Sequence, residues 1–189
     1  MSLMRRLLVS GAAAMLLGAP SLAQRVDIET HRKNETITVE VSAEMPVDPR
    51  TVWNVITDYD HLARFIPYMS SSRVLHRDAE RVIVEQTGEL VFLFFRQPVE
   101  AKLAVVESPH TWVTARAIGG NLKALDGRYA IESLPSGYTR LSYSGRMVPD
   151  FDLPPVVGRI ALQSVMSRQF DAMVKEIVRR DAERAALAR

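Results

Sequence analysis

The chain has 189 residues, with 24 Lys and Arg against 22 Asp and Glu, and it contains no cysteine. Without a thiol there is no disulfide, no thiol catalysis and no lipid-modified cysteine. The near-even charge is no evidence for nucleic-acid binding, which needs clustered uncompensated charge.

The first 23 residues read apart from the rest. Arg5 and Arg6 make a positive start, "LLVSGAAAMLL" (Leu7 to Leu17) is an apolar run, and Gly18, Pro20 and "SLA" lead to Gln24. This is the pattern of a secretory signal cleaved after Ala23. The run is shorter than the roughly 20 apolar residues of a membrane-spanning helix. The expectation is export to the periplasm by the general or the twin-arginine route. Loss of Arg5 and Arg6 takes the 24 basic residues to 22, level with the 22 acidic ones. The remaining residues, 24–189, suit one domain with a packed core.

In the mature part, "ITVEVSA" (Ile37 to Ala43) alternates apolar and polar residues and reads as a strand. Residues 26–35 are more polar and read as a weak extension of it. Asp48 followed by Pro49 is a helix-start signal. Val52, Val55 and Ile56 then recur at helical spacing, and Pro67 closes a second short helical pattern. Between the two patterns stand Asp58, Tyr59, Asp60 and His61. Two carboxylates beside an imidazole suggest acid–base chemistry or a metal, but four consecutive residues at a helix break point in different directions. They read instead as a joint, with Asp60 capping the second helix and any pocket lying elsewhere. His31, His76 and His110 are isolated, with no metal-ligand spacing. No nucleophile elbow or phosphate-binding glycine loop occurs, so neither a metal nor a cofactor is expected.

From Met69 onward the chain reads as successive strands: "SSRVLHRD", "RVIVEQTGELVFLFF", "VEAKLAVVES", "TWVTARAI", "LKALDGRYAIESL" and "YTRLSYSGRMV". Short connections, such as the turn "PSG" at Pro135 to Gly137, imply an antiparallel meander. "LVFLFF" (Leu90 to Phe95) is the densest apolar run. It reads as a strand buried on both faces, with an exposed rim for transient membrane contact as the alternative. The end is one long helix over about 154–180, with Pro154 and Pro155 in its first turn. Val156, Ile160, Leu162, Val165, Met166, Phe170, Met173, Val174 and Ile177 form its apolar stripe. Beyond Arg179 the tail turns polar and is expected to fray. The whole is an α+β layout: seven antiparallel strands, two short helices after the first, and a long C-terminal helix packed across the sheet.

"VWNVITDYDHLARFIPYMSSSRVL" resembles the opening motif of the polyketide cyclase/dehydrase and coenzyme Q-binding branch of the START-like (SRPBCC) superfamily. The matching residues are Val52, Trp53, Val55, Ile56, Asp58, Tyr59, Phe65, Ile66, Pro67, Ser72 and Val74. "LDGRYAIESLPSGYTRLSYSGRMVP" is similar to a later segment of the same family. The resemblance covers about residues 36–178. It implies a helix-grip fold, a seven-stranded sheet wrapped around the long helix with an internal apolar cavity.

Strand alternation points Val99, Ala101, Leu103, Val113, Ala115, Leu141, Tyr143 and Met147 inward, with Tyr129 and Ile131 beside them. The helix adds Ile160, Met166, Phe170 and Met173. Small residues such as Ala101 and Ala115 would leave room for an elongated apolar ligand, with tyrosine hydroxyls holding its polar end. Methionines would let the site adapt in shape. The leading expectation is a periplasmic binding or carrier protein for a hydrophobic small molecule: a lipid, a fatty acyl chain or an isoprenoid quinone. One alternative is a cyclase or dehydratase acting on a polyketide-like substrate, with Arg116, Arg128 and Tyr143 as its acid–base candidates. The other is an interaction scaffold with a filled core.

Overall fold

The computed structural model describes residues 26–33, 35–92, 95–152 and 155–188. The expected signal segment, Pro154, and Leu93 and Phe94 of the apolar run lie outside these residues. The polar residues before Ile37 form a strand of their own, β1 (Val26–Lys33), not an extension of the next one. It turns back on β2 (Thr36–Met45) and pairs with it from Val26↔Ala43 to Lys33↔Thr36. An edge strand has neighbours on one side only and tolerates such a polar composition.

The two short helices therefore follow the second strand. Helix α1 (Pro49–Ile56) starts as its sequence dictates: the Asp48 side chain accepts from Arg50 N at 2.8 Å, and Pro49 occupies the first turn. It buries Val52, Val55 and Ile56. The second is a 3₁₀ helix (Tyr59–Arg64) that buries Tyr59 and Leu62. Six strands follow: β3 (Met69–Arg77), β4 (Val82–Phe92), β5 (Phe95–Ser108), β6 (Trp112–Gly120), β7 (Leu122–Ser133) and β8 (Thr139–Pro149). All pair antiparallel in one eight-stranded sheet, ordered β1-β2-β8-β7-β6-β5-β4-β3. Register shifts within the β3–β4, β5–β6 and β7–β8 pairs bend the strands, and such irregularities strengthen the twist of a sheet.

Helix α2 (Pro155–Leu187) spans roughly 50 Å at 1.5 Å per residue. It buries Ala161, Leu162, Val165, Phe170, Met173, Val174 and Ile177. Its backbone comes nearest to β1 and β2 on one flank, β4 on the other, and α1. It thus bridges the flanks of a curled sheet and stands off the middle strands. The helix continues beyond Arg179 to Leu187, and residues 180–184 are tied down to the joint and to α1. Arg180 Nη1 donates to Asp58 Oδ2 at 2.8 Å, Thr51 Oγ1 donates to Asp181 Oδ1 at 2.7 Å, and Arg184 pairs with Asp48 at 2.9 Å. Reading the tail as polar was correct. What its sequence does not display is that its charges meet partners on α1 and the joint 120 to 140 residues earlier.

Candidate functional site

Between the middle strands and α2 lies a cavity of about 280 Å³. Ligand pockets run from roughly 300 to 1,000 Å³, so this one is at the lower edge of that range. It is several times the volume of a single buried water. The sheet contributes alternate residues, as the period of two requires: Val99, Ala101 and Leu103 from β5, Val113 and Ala115 from β6, Tyr129 from β7, Tyr143 and Met147 from β8. The helix contributes Met166, Phe170 and Met173.

Three residues expected at the site are not there: Leu141, its register partner Ile131, which is buried in the core, and Ile160. Leu141 does point inward, but at the end of β8 where α1 closes on β7, so it is fully buried in the packed core. Ile160 is 43% exposed. It sits about 100° around the helix from Ala161, which faces the sheet. The apolar stripe was wide enough to include it, but the packed face is narrower.

The larger surprise is the stretch that read as a mere joint. Ile56, Tyr59, Leu62, Ile66, Tyr68 and Met69 all line the cavity. Its charges behave as a joint all the same. Asp58 receives Arg180 at 2.8 Å and lies 2.6 Å from His61 Nδ1. Partial burial alone would raise the Asp58 carboxyl, but the hydrogen bonds from Arg180 and His61 outweigh it and hold the group below its ordinary value. Asp60 does not cap the helix. It reaches across to β3 and accepts from Val74 N at 2.7 Å. The two carboxylates thus fasten α2 and β3 to the joint and leave its apolar side facing inward. Among the described residues, no three His, Asp or Glu side chains converge as metal ligands would.

Tyr68 is the other unexpected element. It adopts φ +63°, a left-handed conformation uncommon for an aromatic residue. The conformation is held from three sides: its carbonyl accepts from Glu89 N at 2.9 Å, its hydroxyl meets Arg168 Nη1 at 2.5 Å, and the preceding Pro67 carbonyl accepts from Gln169 at 3.1 Å. Gly88 makes the close approach feasible, since a Cβ there would lie 2.4 Å from the Tyr68 carbonyl oxygen. Sequence reasoning missed this wall because β4 reads as polar over Gln86 to Glu89, and polar residues gave no signal for a cavity.

Besides Gln86, Thr87, Glu89 and Gln169, the polar side chains of the cavity wall are tyrosines. The Tyr59 hydroxyl donates to Glu107 at 2.9 Å, and Arg77 binds the same carboxylate at 2.9 Å. Burial, reinforced by Glu107, pushes the Tyr59 hydroxyl above its ordinary range. Tyr129 and Tyr143 face each other across β7 and β8, with ring centroids 4.7 Å apart. Burial pushes Tyr143 up to about 12 and, together with Tyr143, raises Tyr129 as well. Both hydroxyls therefore remain protonated at neutral pH and can act as donors. Arg116 and Arg128 point the other way: Arg116 binds Asp126 at 2.8 Å on the outer face, and Arg128 lies 4.8 Å from the Trp112 ring centroid. Neither reaches the cavity.

A curled antiparallel sheet holding a long helix over an apolar cavity defines a helix-grip, START-like protein. The chain belongs to the polyketide cyclase / dehydrase and lipid transport family, which its residues 45–174 match. Its fold is shared with the Zhui aromatase/cyclase from Streptomyces sp. R1128, at 15% identity and a TM-score of 0.64, over 79% of this chain and 96% of that one. A STAR-related lipid transfer protein from Xanthomonas axonopodis aligns at 9% identity and a TM-score of 0.63, over 85% and 96% of the two chains. A START superfamily protein from Mycobacterium smegmatis does so at 13% and 0.59, over 77% and 97%. At these identities the likeness is one of fold. No curated protein matches the sequence.

Proposed function

We propose that this protein is an exported carrier that holds a hydrophobic small molecule in its internal cavity and shields it from water in the periplasm. The observation that carries the reading is the cavity itself: about 280 Å³, walled mainly by apolar side chains from six strands, the joint and α2. A lipid acyl chain or the ring of an isoprenoid quinone suits such a wall. Removal of apolar surface from water supplies roughly 25 cal/mol per Å², from which the cost of association is subtracted. No helix among the described residues is long and apolar enough to cross a membrane. The test is transfer of a fluorescent phospholipid from donor to acceptor vesicles. Transfer should accelerate in proportion to added protein, whereas protein that neither takes up the lipid nor changes the rate contradicts the reading.

A cyclase or dehydratase is the second reading, favoured by one observation: Tyr143, a residue of the cavity wall, carries a hydroxyl that makes no hydrogen bond to the protein among the described residues. Turnover of a poly-β-keto thioester that is lost in Tyr143→Phe would support it over carriage.

A further inference from the structure

Resting on the reading that the cavity takes a ligand, we propose that Tyr129 and Tyr143 select an uncharged molecule whose polar end is a carbonyl oxygen, and reject an ionised carboxylate. Both hydroxyls belong to residues of the cavity wall. Among the described residues neither half-buried hydroxyl makes a hydrogen bond to the protein, whereas the buried Tyr59 is satisfied by Glu107. A donor facing an apolar space costs free energy until an acceptor arrives, and a carbonyl oxygen has two lone pairs to offer two donors.

The backbone beneath the pair is shaped to hold it. Gly127 and Gly145 are register partners on β7 and β8. A Cβ at Gly127 would stand 2.8 Å from the Tyr143 hydroxyl oxygen, and one at Gly145 would stand 2.4 Å from it and 2.7 Å from Cζ. The Tyr143 ring lies flat over a floor of two glycines, so its hydroxyl position is fixed by the sheet. Two bare positions side by side in a sheet lose packing on both strands, and the overlying ring restores it.

Charge completes the selection. Among the described residues the cavity wall includes no Lys, Arg or His. Its single ionisable carboxylate, Glu89, is engaged by Arg96 at 2.9 Å. Arg168 and Arg96 reach the wall only at Tyr68 and Glu89, so an ionised carboxylate held by Tyr129 and Tyr143 would find no cation beside it, and burial of an unpaired charge is heavily disfavoured. A ketone, an ester or a quinone carbonyl meets two neutral donors instead.

The experiment uses the mature protein and a fluorescent dialkylaminonaphthyl ketone, displaced by dodecane, methyl decyl ketone or ionised dodecanoate, which share one chain length. The methyl ketone should compete roughly ten-fold better than either of the others, the gain expected of two neutral hydrogen bonds. In the Tyr129→Phe/Tyr143→Phe variant the ketone should fall to the level of dodecane, while dodecane itself is unchanged. If that variant gives no cooperative melt, the wild-type ranking of ketone over dodecanoate decides alone. Ionised dodecanoate competing as well as the ketone, or a ketone preference that survives in the double variant, overturns the proposal and leaves the carrier reading standing. Failure of the dye and of all three competitors to bind overturns both.

Discussion

Filling the cavity separates an open site from a packed core by the sign of the effect. Ala101 lies on β5 between Gln86 of β4 and Gly120 of β6, with its methyl group on the cavity wall. Ala101→Leu adds three carbons. Each occupies about the volume of a water molecule in the liquid, roughly 30 Å³, so together they remove close to a third of the space. In a packed core such overpacking costs about 1–3 kcal/mol. In an open cavity each added carbon instead gains up to about 0.8 kcal/mol, less roughly 0.5–1 kcal/mol of leucine side-chain entropy. The expected result is a stabilisation of about 1–2 kcal/mol, or a rise in melting temperature of a few degrees for a domain of this size. Ligand affinity should fall at the same time. Denaturant melts and dye titration measure the two effects on the same sample. A variant that is destabilised and still binds the dye with wild-type affinity would refute the open cavity at this wall.

Other consequences follow from the ties and the tyrosines. Asp58→Asn should destabilise the fold by about 1–2 kcal/mol, between the exposed and the fully buried ion-pair cases, with dye binding unchanged; a loss of binding at constant stability would return Asp58 to the site. The hydrogen bond from Arg179 leads in holding Glu176 down at about 2, and Asp58 is lowered too. Their contribution is complete above the ordinary carboxylate range and is lost as pH falls toward about 2, so acid melts should show stability declining through that window. Tyr59, Tyr129 and Tyr143 are all raised. The stability they confer is complete below the ordinary tyrosine value of about 10 and is lost as pH rises beyond it. Tyrosinate absorbance from these three should therefore appear together with alkaline unfolding, not before it. Gly145→Ala should displace the Tyr143 ring and weaken ketone binding more than alkane binding, as competition with the dye would show. Finally, protein recovered from the periplasmic fraction should begin at Gln24; recovery from the cytoplasm with Met1 in place would contradict export.

Much of the cavity wall was legible in the sequence because a strand has a period of two. Once "VEAKLAVVES" and "TWVTARAI" are read as strands, Val99, Ala101, Leu103, Val113 and Ala115 fall on one face without further knowledge. The same rule sent Arg116 and Arg128 to the outer face, which alternation could already have said. The failures have different physical sources. The depth of a residue along its strand is not periodic, so Leu141 could not be told from Tyr143 although both face inward. A helix stripe records apolarity, not which part of it meets a partner, and so it admitted Ile160. The strand β1 was hidden by polar residues that an edge position tolerates. The joint was placed away from any pocket because its acids drew attention from its apolar residues: Asp58 and Asp60 are fasteners, as read, but what they fasten is a stretch of cavity wall made of Tyr59, Leu62, Ile66 and Tyr68. The glycine floor under Tyr143 depends on the register of β7 against β8, which places Gly127 opposite Gly145. No single strand of sequence contains that pairing.

The account stands on the cavity being occupied by a ligand in the protein's working state. The most direct measurement is mass spectrometry of the intact protein, purified from its native host under non-denaturing conditions, beside an organic extract of the same sample. The account predicts a mass excess corresponding to one molecule per chain, an uncharged apolar compound carrying a carbonyl, released by the solvent and absent from the Ala101→Leu variant. Protein that is repeatedly empty, and that takes up no lipid when offered it, would contradict the account.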